Sequence, residues 1–297
     1  MTKTKLTRRD FMRLAAASPL AGAVFFHGKH PGYKAGNRKS RVILIRDEDA
    51  LISGKQPNAE VVQSMLDEAV SALLDEKDIV KAWKNLVRPS DTVGIKSNVW
   101  RFIPTTTEVE NAIKKRVMDA GVAEGKIGID DRGIRNNPLF QNADALINAR
   151  PARTHHWSGM GSLIKNYIMF VPKPPAYHGD SCADLARIWK EYDLIEKTKL
   201  NILVMLTPQF HSVGPHSYSD DYIWPYRGLI VSRDPVAADA TGLRILLAKR
   251  QQHFGEEVPL ETPAKHIRLA ETRHGLGVAD PEKIELIKLG WKENILI

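Results

Sequence analysis

Three segments of this chain are apolar at nearly every position over a strand's length: residues 42–45 (Val-Ile-Leu-Ile), 200–206 (Leu-Asn-Ile-Leu-Val-Met-Leu) and 228–231 (Gly-Leu-Ile-Val). A strand with one wet face alternates apolar and polar side chains, so a strand without alternation must be covered on both faces. Residues 92–96 (Thr-Val-Gly-Ile-Lys) and 126–130 (Lys-Ile-Gly-Ile-Asp) have the same character, and the second leaves an acid at its C-terminal end. Between these runs the period changes to that of a helix. Val61, Val62, Met65, Leu66, Ala69, Val70, Leu73 and Leu74 share one face of a helix for which Asn58 is a suitable N-cap. Thr106 or Thr107 caps a second helix that runs through Met118 and stops at Gly121. Residues 183–197 are helical, and Asp234 and Pro235, as N-cap and first helical residue, open a helix over 236–247. The pattern predicts an α/β fold, a mainly parallel sheet with helices on both faces, as a single domain over residues 41–297.

The first turns of the chain carry a different signal. Thr7-Arg8-Arg9-Asp10-Phe11-Met12-Arg13 has the order of a twin-arginine (Tat) export motif, and a soft apolar segment follows from residue 14 to 26. Ala21-Gly22-Ala23 supplies small residues for cleavage after Ala23. The apolar segment is shorter than the roughly 20 residues that a membrane span needs, so no stable span is expected. Residues 1–26 therefore predict a Tat signal peptide and 27–40 a polar linker, with the Tat translocase as a partner during export. The mature protein is then periplasmic or otherwise exported.

Removing the signal changes the electrostatics. The whole chain has 43 basic and 35 acidic residues, a formal charge of +8. Residues 1–23 hold five bases and one acid, so 38 bases and 34 acids remain, a net of +4. No dense Lys/Arg run is left, and no nucleic-acid partner is expected. Cys182 is the only cysteine. It excludes an intramolecular disulfide and any Fe–S cluster held by several thiolates of this chain, and it is expected as a small buried residue at a helix start.

In open α/β sheets ligands meet the chain where strands end at their carboxyl edges. Lys96 and Asn98 close the second strand, and Asp130 with Asp131 close the third. Arg153-Thr154-His155-His156 follow the segment 144–149, Lys165-Asn166 follow a glycine-rich turn, and His178 follows the prolines at 172–175. His211 and His216 lie on the loop after residue 206.

These residues resemble the signature of the family catalogued as domain of unknown function 362. Arg153-Thr154-His155, Gly161-Ser162-Leu163-Ile164-Lys165-Asn166, His178 and Ser232-Arg233-Asp234-Pro235-Val236-Ala237-Ala238-Asp239 follow its order of motifs. Lys96 with Asn98 and the tail Gly275-Leu276-Gly277-Val278-Ala279-Asp280 fit as well, so the likeness covers about residues 42–291. Two positions depart from the pattern: Arg153 stands where a lysine is usual, and Thr207-Pro208-Gln209-Phe210-His211 stand where an Asp-Gly pair is common. If that acid anchors a cofactor or metal, His211 is its substitute here. The order of a lysine and a later histidine is also similar to that in lactate racemase and its relatives, where the lysine holds a cofactor.

The candidate catalytic residues are thus Lys165, His155 and His178. Lys96, Asn98, Arg153, Asn166 and Asp234 are candidates for binding a cofactor or ligand, and His155, His178 and His211 for holding a metal ion. Lys165 suits a covalent adduct with a carbonyl or an anion contact. Asp234 has a second explanation as a helix cap, and Asp239 needs a partner if buried. Lys96, Arg153 and Lys165 together favour an anionic ligand, carboxylate or phosphate. Two functions remain open: a cofactor- or metal-dependent enzyme acting on a small anion, or a non-catalytic periplasmic accessory protein that binds or delivers a cofactor for an exported redox enzyme.

Overall fold

The computed structural model describes residues 39–212 and 218–297; the stretch read as a Tat signal, residues 27–38 of the stretch read as a linker, and His216 lie outside them. Described strands are β1 (Ser40–Arg46), β2 (Leu51–Ser53), β3 (Gln56–Pro57), β4 (Val93–Lys96), β5 (Ile127–Asp130), β6 (Ala145–His155), β7 (Gly159–Gly161), β8 (Thr198–Gln209), β9 (Gly228–Ser232) and β10 (Ile284–Gly290). The helices are α1 (Ala59–Leu74), α2 (Ile79–Lys84), α3 (Thr107–Asp119), α4 (Pro138–Gln141), α5 (Leu163–Asn166), α6 (Ala186–Glu191), α7 (Leu194–Lys197), α8 (Pro235–Phe254) and α9 (Lys265–Thr272).

Eight strands form one sheet in the order β10-β1-β9-β8-β6-β4-β5, with β7 added on β6. The pairs β1–β10, β8–β6, β6–β4 and β4–β5 are parallel, whereas β9 runs against both of its neighbours and β7 against β6. The fold is α/β with a mostly parallel sheet, as the unalternating strands require. Their side chains divide between two cores. Val42 and Leu44 of β1, with Leu203 and Met205 of β8, face a layer that holds α5, α6, α8 and α9. Ile43 and Ile45, with Ile202 and Val204, face α1, α2 and α3. Each buried Leu, Ile or Val contributes about 1.5–3 kcal/mol, which explains why both faces keep such side chains.

The helices begin and end on local chemistry. Asn58 accepts the Val61 amide at 3.5 Å, and Asp75 ends α1 in the left-handed region at φ 53. Asp234 caps α8, Pro235 fills its first position, and Gly255 at φ 77 stops it. Thr106 caps α3 without a side-chain bond.

Some expectations change. The helix expected over 183–197 is broken into α6 and α7, because Asp193 takes φ 53 between them. Cys182 is buried, but it ends a tight turn in which Asp180, Ser181 and Cys182 have φ of 49, 55 and 61, not a regular helix start. The segment 144–149 continues as β6 through His155, so Arg153, Thr154 and His155 are strand residues. Likewise β8 runs on to Gln209, where Thr207 and Pro208 were expected in a loop. Bonds from Phe210 N to Tyr222 O at 3.0 Å and from Trp224 N to Pro208 O at 3.3 Å hold that extension. Ser40, read from the sequence as the last residue before the domain, is the first residue of β1. Among the described residues no helix is long and apolar enough to cross a membrane.

Candidate functional site

At the carboxyl edge of β4, β5 and β6 lies a cleft of about 250 Å³. Asn98, Arg153, His155, Lys165, Asn166 and His178 line it together with Trp100, Asp131, Arg132, Arg150, Trp157, Ile168, Met169 and Pro174. Six of the residues singled out in the sequence therefore meet around one space.

Strand alternation places the floor. Val93 and Ile95 face the layer of α1–α3, so Lys96 faces the other way, beside its register partners Asp130 and Asn148. Lys96 is fully buried, and its ammonium donates to Asp131 Oδ1, to Ser97 O at 2.7 Å and to Asn166 Oδ1 at 3.3 Å. All three of its donors are engaged, so it supports the cleft from beneath and has none left for a ligand. Asn166 donates in turn to Asn148 Oδ1 at 2.9 Å, and Asn148 to Asn201 Oδ1 at 3.1 Å. This polar row crosses three strands inside the sheet's packed face.

Burial would raise the Asp131 pKa, but Lys96, the Val99 amide at 3.0 Å and Arg150 together hold it below the usual carboxylate range. Burial pushes Lys96 down to about 8, against the pull of Asp131.

The cations above this floor have no such partner. Arg150, Arg153 and Lys165 are only 4%, 5% and 3% exposed. Among the described residues none of them forms an ion pair. Arg150 Nε has no hydrogen-bond partner. Arg153 donates to Asn98 Oδ1 at 3.0 Å and lies 4.2 Å from the centre of the Trp100 ring. Lys165 Nζ lies 3.8 Å from Cys182 Sγ. Burial, followed by the charges of Arg150 and Arg153, pushes Lys165 down to about 8, although Cys182 opposes the shift. Burial also brings Arg150 to about 10 and Arg153 well below its ordinary value, with Arg150 adding to the latter. Both guanidiniums remain charged at neutral pH. A buried charge without a counter-charge costs several kcal/mol, so this cluster is strained toward any anion that can enter.

β7 lets these groups come close. Gly161 pairs with Arg153, and a Cβ on it would lie 2.9 Å from Arg150 Nη2 and 3.4 Å from His155 Cδ2. Gly159 takes φ 70, and a side chain there would meet the Thr262 carbonyl at 2.2 Å. The turn between β6 and β7 carries Trp157, which stacks on His178 with ring centres 4.0 Å apart and forms the mouth. His155 Nδ1 accepts the Trp157 amide at 3.2 Å, so the neutral ring carries its proton on Nε2. Burial, then Lys165, Arg150 and Arg153, drives the His155 pKa well below its ordinary value. His178 falls to about 4 through burial, Lys165 and His156. Both rings are neutral at pH 7.

Lys165 itself is held by α5, whose start is tied down from another helix. Asp239 of α8 accepts from Leu163 N and Ile164 N, each at 2.9 Å, and from Ser162 Oγ at 2.6 Å. Burial raises its pKa to about 7, against these bonds and the charge of Arg150. This is the partner that Asp239 required.

Two candidates lie elsewhere. Asp234 sits at the opposite edge of the sheet, because β9 runs antiparallel; it accepts from Ser40 Oγ at 2.7 Å, Val236 N at 2.9 Å, Ala237 N at 3.1 Å and Val278 N at 3.0 Å. It is thus a helix cap and a tie between segments, and it lies apart from the cleft. His211 is held outside the cleft by Glu261 Oε1 at 2.8 Å and Arg250 Nη1 at 3.0 Å. His155, His178 and His211 therefore do not converge, and among the described residues no group of three or more His, Cys, Asp or Glu is placed to hold a metal ion.

The sequence argument missed Arg150, Trp100 and Trp157. Arg150 was legible in principle: Leu146, Asn148 and Arg150 share one face of a strand by simple alternation, but the strand was ended at residue 149.

The family model for Domain of unknown function (DUF362) matches residues 93–244. No curated protein and no solved structure matches the chain. The matched span starts at the first residue of β4, ends within α8 and includes every residue that lines the cleft. As it covers just over half of the 297 residues, this chain belongs to the DUF362 family.

Proposed function

We propose that the cleft binds a small organic anion and that the protein is an enzyme acting on it, with Lys165 as the reactive group and His155 as its proton-transfer partner. One observation carries this: three buried cations, Arg150, Arg153 and Lys165, surround a cleft whose one deeply buried carboxylate, Asp131, already pairs with Lys96. An entering anion supplies the missing counter-charge to this cluster, in which Arg150 Nε is without a hydrogen-bond partner. Lys165, near half-deprotonation just above neutral pH, and His155, neutral with its proton on Nε2, are suited to nucleophilic attack and proton transfer. The Thr7–Arg13 motif supports export by the Tat route as the setting of this activity.

The test is a thermal-shift and calorimetric screen of acetate, small hydroxy and oxo acids and inorganic phosphate against the full chain and its Arg150→Met variant. At least one anion is expected to raise the melting temperature, with affinity at least about tenfold weaker in the variant, the equivalent of losing a charged hydrogen bond worth about 1.5–3 kcal/mol. No stabilisation by any anion, or equal affinity in the variant, rejects the proposal. Binding without turnover of any bound anion points to the accessory role instead.

A further inference from the structure

We infer that the anion is a small 2-oxo acid, whose carboxylate is held by Arg150 and Arg153 while its carbonyl carbon condenses with Lys165 to an imine. The inference rests on the anion-binding function proposed above and adds the identity of the second functional group. Two features divide the cluster into a carboxylate-holding part and a reacting part.

Arg150 and Arg153 are planar forks that suit the two oxygens of a carboxylate; both line the cleft, and Arg150 Nε has no partner. Arg153 is fixed in orientation by Asn98 Oδ1 at 3.0 Å and by the Trp100 ring, which prepares it to accept a planar group. Lys165 differs in kind. Its hydrogen-bond contact is a sulfur at 3.8 Å and, among the described residues, no carboxylate pairs with it, so its nitrogen is held as an ammonium only weakly, by Cys182. Among neighbouring guanidiniums it is the amine that most readily yields its proton, and the free amine is the form that attacks a carbonyl. The volume of about 250 Å³ admits an acid of a few carbons plus water, at about 30 Å³ per water.

The condensation balances without a redox partner. The Lys165 nitrogen lone pair forms a bond to the carbonyl carbon, and the C=O π pair moves to oxygen, which takes up a proton. Nitrogen then forms the C=N double bond while the C–O bond breaks, and that oxygen leaves as water with the two protons that nitrogen has released. His155 Nε2–H, at the same cleft, is the group placed to give a proton to the departing oxygen and to regain one from nitrogen. Asp131 is unsuited to that transfer, because Lys96 and the Val99 amide keep it a carboxylate acceptor.

The experiment is reductive trapping. Full-length protein is incubated with pyruvate and cyanoborohydride, then analysed by intact mass and peptide mapping, with lactate as the control that has a carboxylate but no ketone. One reduced adduct per chain on Lys165 is expected with pyruvate and none with lactate. Trapping should increase as pH rises toward 8. Lys165→Arg keeps the charge and should abolish the adduct, lowering trapping at least about tenfold, while a melting curve confirms that it is folded. An adduct spread over surface lysines, or undiminished in Lys165→Arg, overturns the inference. So does pyruvate that stabilises the wild type without being trapped, and in that case the anion-binding function survives. If neither pyruvate, lactate nor phosphate binds, both fall together.

Discussion

Lys165 is costly to bury, and its cost is a measurable quantity. Its pKa falls to about 8 in the folded chain from the ordinary 10.5, so the folded state favours the neutral amine. Below pH 8 both folded and unfolded chains carry the proton, and the penalty on the folded state stands in full. Between pH 8 and 10.5 the unfolded chain holds more protons than the folded one, so wild-type stability rises with pH through this window. Lys165→Met has nearly the same length and no charge. It is expected to be more stable than wild type at pH 7 by on the order of 1–3 kcal/mol, with the gap narrowing toward pH 10. Lys96 titrates in the same direction but is common to both proteins, so it cancels in the difference. Urea unfolding at pH 7 and pH 10 decides: a gap that does not change with pH, or a less stable variant at pH 7, would mean that the charge is compensated. Loss of anion binding in the same variant would locate the strain in the ligand site.

At the level of elements, the cleft depends on a four-residue helix that could not stand alone. An isolated helix shorter than roughly 12 residues is marginal in water, and Ser162, at the start of α5, makes no side-chain cap bond to it. Asp239 provides the cap from α8, 76 residues away along the chain from Leu163. Asp239→Ala would leave Leu163 N and Ile164 N buried without acceptors. The expected loss is about 2–4 kcal/mol, with anion affinity falling more than stability alone explains, because Lys165 and Asn166 ride on α5. Chemical denaturation and calorimetry on the folded variant test this together; unchanged affinity would free α5 from that dependence. β6 shows the complementary device. Arg150 and Arg153 would face opposite sides of an unbroken strand, yet both line the cleft, and the pairing of β6 with β8 shifts register between Pro151 and Arg153. Proline withholds a ladder donor at that point, which is compatible with the irregularity. That break lets two arginines three residues apart share one cleft.

Across the molecule, Asp234 closes the chain on itself. One carboxylate joins the start of β1, the end of β9, the first turn of α8 and Val278 ahead of β10. Gly277 leaves room for it: a Cβ there would lie 2.1 Å from Asp234 Oδ1. Asp234→Ala is expected to destabilise by about 3 kcal/mol or more, since several buried donors lose their acceptor at once. Because this tie sits at the sheet edge opposite the cleft, the folded fraction should bind anions within about twofold of wild type. Thermal melts with and without the tightest anion from the screen check both halves, and a selective loss of affinity would return Asp234 to the binding site.

The sequence alone determined the α/β class, the central strands and the caps of α1 and α8, and it pointed to one polar cleft lined by Lys96, Arg153, His155, Lys165, Asn166 and His178, of which all but Lys96 line the space observed. These follow from local rules: an unalternating strand needs two covered faces, and polar residues at its carboxyl end are exposed to a crevice. It also named Asp234 correctly as a cap while leaving open whether it did more. Only the tertiary structure decided that Lys96 is saturated by Asp131, Ser97 and Asn166, that His211 belongs to Glu261 and Arg250, and that Asp239 caps α5. It likewise decided the reversed direction of β9, which carries Asp234 away from the cleft. Residue type and spacing report which face of an element a side chain occupies. Whether a buried charge is paired depends on atoms contributed by segments tens of residues apart, and that is settled only when the sheet brings them together.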